Sequence, residues 1–167
     1  LDNSAARVIA KKLPRLTLLA VQYNNIGVFG LESILDGLAD LKGLYVGNGS
    51  ATQEETLGDE GLTALAKASG KLKLKVLGVE YCGAGPRGLT DIARHATSLE
   101  WLCIDGNRVD EQVAEAIASN LKQLWLLNAS KTGLTERMLL RIVAELPNLK
   151  SVHASKLTRN SGYNFLG

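Results

Sequence analysis

A glycine-rich segment in the middle of the chain has the spacing of a phosphate-binding loop. The run from Gly83 to Gly88 matches the pattern G-x-G-x-x-G, follows an apolar stretch and precedes a helical pattern. Asp105 follows Gly88 by 17 residues. In dinucleotide-binding enzymes, such glycines let a pyrophosphate approach a helix N-terminus, and an acidic residue further on binds the ribose. A dinucleotide-binding enzyme is therefore one hypothesis for this chain.

Two features of the same segment argue against that hypothesis. Gly85 and Gly88 align with Gly27 and Gly30, so these glycines have a role that recurs elsewhere in the chain. In addition, residues 80–82 (Glu-Tyr-Cys) separate the apolar stretch from the first glycine. A dinucleotide-binding fold would require an apolar, buried strand at that point, because its parallel strands are covered on both faces.

The remaining candidates for chemistry are a thiol–imidazole pair and a pair of carboxylates. Cys103 and His153 would lie two strands apart, about 10 Å, whereas direct proton transfer needs about 3 Å. Glu80 and Asp105 fall on neighbouring strands and form at most a weak acidic spot. Two cysteines and two histidines make a structural zinc site improbable. We therefore predict a non-enzyme with no catalytic residues, metal site or cofactor.

The elements that would position these side chains repeat along the chain. Each unit has the frame Leu-x-x-Leu-x-Val, with occasional apolar replacements, followed in several units by a glycine-containing turn and a helical pattern. One such unit cannot bury its apolar strand face alone, so neighbouring units must stack. The frame begins at Leu16, Leu41, Leu74, Leu99, Leu121 and Leu149.

These motifs resemble leucine-rich repeats, and within that family the ribonuclease-inhibitor-like class. The glycine-containing turn is also similar to the repeats of bacterial GALA effector proteins. The resemblance implies a right-handed α/β solenoid with parallel strands on a concave face and helices on a convex face. It covers residues 1–156, with about six strands, and leaves residues 157–167 as an extension or cap. Gly49 and Ala129 depart from the Asn or Cys that the family carries at the ladder position.

Several local expectations follow from the repeat. Asn24 and Asn107 should bond the turn backbone of adjacent units, because buried amides must be satisfied. Cys82, at the equivalent position, should be a small buried hydrophobe. The chain begins in the middle of a unit, so we expect a fragment of a longer protein, or a first helix over residues 2–12 that acts as a cap. The polar insertion at residues 49–56 is either a tolerated loop or a rim loop that touches a partner.

The alternation of strand side chains predicts which residues face a partner, because successive side chains point to opposite faces of a sheet. Both tryptophans and three of the four tyrosines fall on the predicted solvent side. Exposed aromatic residues beside a few charges are typical of protein-binding hot spots. The alternative is that these rings shield neighbouring strands or pack on another part of the parent protein. The predicted partner-binding residues are Tyr23, Tyr45, Glu80, Tyr81, Trp101, Cys103, Asp105, Trp125 and His153.

Composition narrows the classes of partner. The net charge of +2 is too small for a dedicated nucleic-acid binder, and no apolar stretch approaches the roughly 18 residues of a transmembrane helix. Two cysteines favour a reducing compartment, so we expect a cytoplasmic protein, or a secreted effector acting in a host cytoplasm. We predict a protein-interaction module, monomeric or weakly self-associating through uncapped ends. The alternative is a structural spacer or a self-associating solenoid.

Overall fold

The fold is taken from a computed structural model that describes residues 1–48 and 56–158. The polar insertion, apart from Thr56, lies outside the described residues, as does most of the predicted C-terminal extension. Short strands and helices alternate from the first element to the last. The helices are Asn3–Lys12 (α1), Val28–Gly37 (α2), Gly58–Leu72 (α3), Pro86–His95 (α4), Glu111–Asn120 (α5) and Glu136–Glu145 (α6). The strands are Leu18–Ala20 (β1), Gly43–Tyr45 (β2), Val76–Gly78 (β3), Trp101–Cys103 (β4), Leu126–Asn128 (β5) and Ser151–His153 (β6).

The six strands form one parallel sheet in the order in which they occur along the chain. Each strand is three residues long and pairs in register with the next, so equivalent residues of successive units stand side by side. The central residue of each strand points toward the helices, and in the first five units it is a buried leucine. These leucines form the inner row of the core: Leu19, Leu44, Leu77, Leu102 and Leu127.

Asn107 bonds the turn backbone of the preceding unit, as predicted, whereas Asn24 Nδ2 bonds only the carbonyls of Val21 and Gln22 in its own unit. Asn107 is buried, and its Oδ1 accepts backbone N–H bonds from Cys82 and Ala84 of the preceding unit, both at 3.1 Å. Its Nδ2 donates to the carbonyls of Val79 (2.7 Å) and Ile104 (3.1 Å). One side-chain amide therefore bonds backbone groups of two neighbouring units, as the burial of polar groups requires.

The fifth unit lies three residues further along the chain than predicted. We predicted a frame that starts at Leu121, but β5 pairs its Leu127 with Leu102, so the frame starts at Leu124. Leucine recurs at every third residue here, which lets the frame fit either register. The correct register puts Leu127 in the core rather than on the concave face. The units from β3 onward are then evenly spaced at 25 residues, with starts at Leu74, Leu99, Leu124 and Leu149.

The shift also changes the ladder residue of the fifth unit. Thr132, and not Ala129, occupies the position that Asn107 takes one unit earlier. The Thr132 hydroxyl donates to the Ala129 carbonyl at 2.8 Å and accepts from the Leu134 amide at 3.4 Å. Thr132 is buried, and a short hydroxyl bonded to nearby backbone groups takes over part of what the asparagine amide does.

The helices begin in two different ways. At α5 and α6, the residue before the helix caps it: Asp110 Oδ1 accepts from the Val113 amide at 3.0 Å, and Thr135 does the same for Met138 at 3.3 Å. Helices α2 and α4 have glycine at this position, and glycine has no side-chain oxygen to accept a bond from the first-turn amides. Their first-turn amides are instead bound by a side chain from the preceding helix, which ties consecutive units together.

Candidate functional site

The concave face is the side of the sheet that carries the first and third residue of each strand, together with the residue two places after the strand. The register places these residues in three rows across the strands. The first row is Leu18, Gly43, Val76, Trp101, Leu126 and Ser151, and the second is Ala20, Tyr45, Gly78, Cys103, Asn128 and His153. The third row is Gln22, Gly47, Glu80, Asp105, Ser130 and Ser155.

An aromatic pair stands at the centre of this face. Tyr45 of β2 and Trp101 of β4 have ring centroids 5.2 Å apart and planes tilted by 54°, an arrangement that aromatic rings favour. The two residues are separated by a whole strand, and Gly78 of β3 lies between them. A Cβ on Gly78 would stand 2.7 Å from Tyr45 Cδ1. The missing side chain therefore lets the tyrosine ring lie flat across β3 to reach the indole.

The Glu80 side chain lies beside this pair. A Cβ on Gly47 would stand 2.6 Å from Glu80 Oε2, and one on Gly78 would stand 3.0 Å from the same oxygen. The carboxylate is thus folded back over two glycines of the sheet. Its Oε2 is buried and has no hydrogen-bond partner among the described residues. Burial raises the pKa of Glu80 above its ordinary value of 4.5, a hydrogen bond to its own backbone partly offsets this, and the nearby Asp105 carboxylate raises the pKa further.

The other predicted partner-binding residues are distributed over the face and its rims. Tyr23 is 66% exposed beyond β1. Tyr81 packs its ring against Gly106, and Lys131 Nζ donates to its hydroxyl at 3.1 Å. His153 is exposed in β6, at the end of the second row.

Trp125 does not lie on the strand face where we predicted it. Because the fifth unit is shifted, Trp125 precedes β5, and its amide donates to the Glu100 carbonyl at 2.9 Å. It is still 42% exposed, at the edge where the strands begin. The strand position that aligns with Trp101 is Leu126. Trp101 and Trp125 therefore do not share the strand face, and the ring beside Trp101 on that face is Tyr45.

The geometry gives no support to a thiol nucleophile. Asn128 stands between Cys103 and His153 in the second row, so the two are separated by a full strand. Cys103 is buried, and burial raises the pKa of its thiol to about 12. The reactive form of cysteine is the thiolate, which is scarce at neutral pH for such a group. Cys82 is fully buried with a pKa of about 12, in keeping with the predicted hydrophobe.

The phosphate-binding pattern at α4 is already occupied by the protein's own carboxylate. Asp59 Oδ1, at the start of α3, accepts the backbone N–H groups of Gly85 at 2.8 Å and Gly88 at 2.9 Å. These are the amides that a pyrophosphate would need at a helix N-terminus. A Cβ on Gly88 would stand 2.9 Å from Asp59 Cα, so the glycine serves close packing of α4 on α3. The dinucleotide hypothesis fails on this contact.

Sequence reasoning missed the role of the concave glycines, over which neighbouring side chains lie. Gly78 sits at the end of a buried strand, where glycine weakens pairing unless another group approaches closely. That signal could have indicated the tyrosine that crosses it. Leu18 lies across Gly43 in the same manner and is 56% exposed. The glycines over which neighbouring side chains lie therefore define the shape of the concave face as much as the projecting side chains do.

The convex face carries a depression lined by both apolar and charged residues. An open groove of about 620 Å³ runs between α2 and α3, with Leu35 and Leu72 at its base. Charges of both signs surround it, including Asp36 and Lys67. Among the described residues, no group of three or more His, Cys, Asp or Glu side chains is placed to hold a metal ion. No helix in the described part of the chain is long and apolar enough to cross a membrane.

Solved structures with the same architecture settle the fold. No protein-family model and no curated protein matches the sequence. Actin-binding site 2 of leiomodin-1 is similar in structure, with a TM-score of 0.66 and 17% identity over 86% of this chain and 87% of that one. The tropomodulin C-terminal domain of Caenorhabditis elegans has a TM-score of 0.63 and 13% identity over 89% of this chain and 93% of that one. The fold is a leucine-rich-repeat solenoid. At these identities the likeness extends to the α/β solenoid and no further.

Proposed function

We propose that this chain is a non-enzymatic protein-interaction module that binds a partner protein through its concave face. The observation that carries the proposal is the Tyr45–Trp101 pair, which lies partly exposed at the centre of that face. Aromatic rings held in place by their neighbours lose little conformational entropy on binding, and such residues dominate the energetics of protein interfaces. Glu80 and Asp105 add negative charge to the same surface and would orient the partner.

The structural neighbours suggest one protein to test first. The leiomodin-1 domain is described as an actin-binding site, so actin is a reasonable purified candidate for this chain as well. A ribonuclease-inhibitor-like or GALA-like relationship and a cytoplasmic location remain part of the proposal. A spacer or self-associating solenoid is the alternative, and the exposed Leu140 and Val143 of α6 are consistent with it.

A three-way comparison of immobilised proteins tests the proposal. The unmodified chain, a concave variant (Tyr45→Ala with Trp101→Ala) and a convex control (Glu60→Ala with Lys67→Ala) are exposed to purified actin and to cell extract. Bound proteins are identified by quantitative mass spectrometry, and circular dichroism verifies that all three are folded. We expect at least one protein to be retained by the chain and the convex control but lost from the concave variant.

Two results would contradict the proposal. Partners that are lost from the convex control and kept by the concave variant would move the interaction to the helices. Recovery of only further copies of this chain, together with a dimeric mass in sedimentation equilibrium, would favour the self-associating solenoid.

A further inference from the structure

The Glu80 carboxylate has no counter-charge among the residues 1–48 and 56–158 that the structure describes. Its Oε2 has no hydrogen-bond partner among the described residues, and no salt bridge in the described part of the chain includes Glu80 or Asp105. The titratable groups that act on it are Asp105 and Cys103 of the neighbouring unit, Cys82 of its own unit and Tyr45 of the preceding one. All of these are acids, and the one stabilising contact of the carboxylate is a hydrogen bond to the backbone of Glu80 itself, so no neighbouring group in the described part of the chain supplies a positive charge.

The described concave positions around Glu80 contain no basic residue. The three rows hold neither lysine nor arginine in β2, β3 or β4 or at the third-row positions that follow them. The lysine that comes near is Lys131, and its ammonium is already bonded to the Tyr81 hydroxyl at 3.1 Å. At the edge where the strands begin, Lys75 is paired with Glu100 at 2.6 Å. The centre of the face is therefore negative, and cations of the chain are engaged at its borders.

The carboxylate and the aromatic pair meet at a single point. Tyr45 Cδ1 and Glu80 Oε2 both lie within 3.0 Å of the position that a Cβ on Gly78 would take, and Trp101 packs on the tyrosine. A cation placed here would contact an aromatic face and a carboxylate together. Arginine suits both neighbours, because its planar guanidinium stacks on aromatic rings and bonds carboxylates with two parallel N–H groups.

We propose that the concave face receives an arginine side chain of the partner protein, with the guanidinium stacked on the Tyr45–Trp101 pair and bonded to Glu80. This inference rests on the proposed function and specifies the chemistry of the partner. Because Oε2 is turned away from solvent, binding requires the carboxylate to be met at its accessible side or to turn toward the guanidinium. A basic, arginine-bearing segment is thus the occupant that the charge of this face fits.

The proposal has a defined pH dependence. The guanidinium stays charged at all relevant pH values, and only ionised Glu80 can pair with it. Because the pKa of free Glu80 is raised, a cation must lower it on binding, and affinity should increase as pH rises through the raised value. Asp105 and Tyr45 face the same point, but the tyrosine stays neutral over this range since its pKa is raised above 10.0.

Selection from a random-peptide phage library tests the inference. The library is selected on the unmodified chain, and recovered peptides are synthesised and measured by isothermal titration calorimetry. We expect peptides in which one arginine recurs. Replacement of that arginine by neutral citrulline, or Glu80→Gln in the protein, should weaken binding roughly tenfold or more. Lysine in place of the arginine should bind with intermediate affinity, because it keeps the charge and loses the planar fork.

The matched controls distinguish failure of the arginine site from failure of the more general protein-binding function. Glu60→Gln removes a carboxylate from the convex face and should leave affinity unchanged. Peptides that depend on Trp101 but carry no recurring arginine, and that bind Glu80→Gln as well as the unmodified chain, would overturn the arginine site while leaving the protein-binding function intact. Peptides that are insensitive to Trp101→Ala, or a selection that yields none, would overturn both. Affinity that is flat between pH 4.5 and 7 would also contradict the pairing with Glu80.

Discussion

Glu80 of the concave face differs from the acidic side chains of the convex face in its hydrogen bonding. Its concave neighbour Asp105 does not differ, because Asp105 Oδ1 accepts from the Ser130 amide at 2.6 Å. On the convex side, Asp59 is bonded to two backbone amides of α4, Asp91 accepts from the Thr63 hydroxyl at 2.8 Å, and Glu115 pairs with Arg141 at 3.2 Å. On the concave side, Glu80 Oε2 has no partner among the described residues. The same face holds a second buried acceptor, Asn128 Oδ1, which also has no hydrogen-bond partner in the described part of the chain.

This difference separates groups that hold the units together from groups that the fold does not need. Buried polar atoms normally find partners, so an unsatisfied acceptor lowers stability unless another molecule supplies the donor. Substitutions at the partnered or closely packed convex residues Asp59 and Gly88 should therefore lower stability, whereas substitutions at the concave residues Gly78 and Glu80 should leave it nearly unchanged or raise it. The following predictions test that contrast, beginning with the largest expected effect.

Gly88→Ala should be the most destabilising of these substitutions. The new Cβ would stand 2.9 Å from Asp59 Cα and 2.9 Å from Leu62 Cβ, and backbone cannot move aside as a flexible side chain can. We expect a loss of about 2 kcal/mol in the free energy of unfolding, measured by urea denaturation. Gly70→Ala is the control, because nothing stands within 4 Å of its Cβ and alanine should add up to about 1 kcal/mol in a helix. Equal effects at the two sites would refute the close-packing role.

Asp59→Ala should cost about 1–2 kcal/mol, since it leaves the amides of Gly85 and Gly88 without their acceptor. Asp59→Asn should cost about 0.5 kcal/mol, because it keeps the oxygen and loses only the attraction of a negative charge to the helix N-terminus. Asn3 provides the precedent, as its Oδ1 accepts from Gly27 at 2.9 Å. Thermal unfolding of the two variants checks this order, and equal losses would mean that the charge, and not the hydrogen bonds, is what matters.

Gly78→Ala should change the concave face with little effect on stability. The added methyl would meet Tyr45 Cδ1 at 2.7 Å, and a side chain can swing away, while alanine suits a strand better than glycine. We expect a change in unfolding free energy within about 1 kcal/mol and a loss of the Tyr45–Trp101 contact. Tryptophan emission should shift in Gly78→Ala. The same Gly78→Ala substitution in a Tyr45→Ala background should produce no shift, which would assign the signal to movement of the tyrosine ring. An effect as large as that of Gly88→Ala would remove the contrast between the faces.

The repeat framework could be predicted from the sequence, whereas the register of the fifth unit was not predicted and the contacts of the glycines could not be. The repeating leucines and the ladder position of Asn107 follow from patterns within one unit, and the structure confirms both. The register of the fifth unit was missed because Leu121, Leu124 and Leu127 satisfy the same frame. Even spacing would have resolved it, since Leu99 and Leu149 are each 25 residues from Leu124.

The residues that contact the glycines could not be predicted from local sequence patterns. Asp59 contacts Gly85 across 26 residues, and nothing near either residue in the sequence indicates the other. The literal match of Gly83 to Gly88 to a phosphate-binding pattern therefore had two physical meanings: room for a ligand or room for a neighbouring helix. In a repeat protein the second is always available, because each unit packs on the next.

Glu80→Gln should give the smallest change, and of opposite sign. The folded protein raises the pKa of Glu80 above 4.5, so it binds the carboxyl proton more tightly than the unfolded chain does. Stability contributed by this group is then present at low pH and is lost as pH rises through the raised pKa. The neutral amide should avoid this loss of stability and so stabilise the protein at pH 7. We expect a gain of less than about 1 kcal/mol, because solvent screens a half-buried group.

The pH dependence distinguishes this effect from a change in packing. Well below pH 4.5, where Glu80 is protonated in both states, the variant and the unmodified chain should have the same stability apart from a constant offset, and the gain should appear as pH rises through 4.5 and the raised pKa. Asp59→Asn should instead lower stability at pH 7, because the Asp59 carboxylate is bonded to two amides. A destabilised Glu80→Gln protein at pH 7 would mean that the concave carboxylate has a structural donor of its own, and the two faces would then follow one rule.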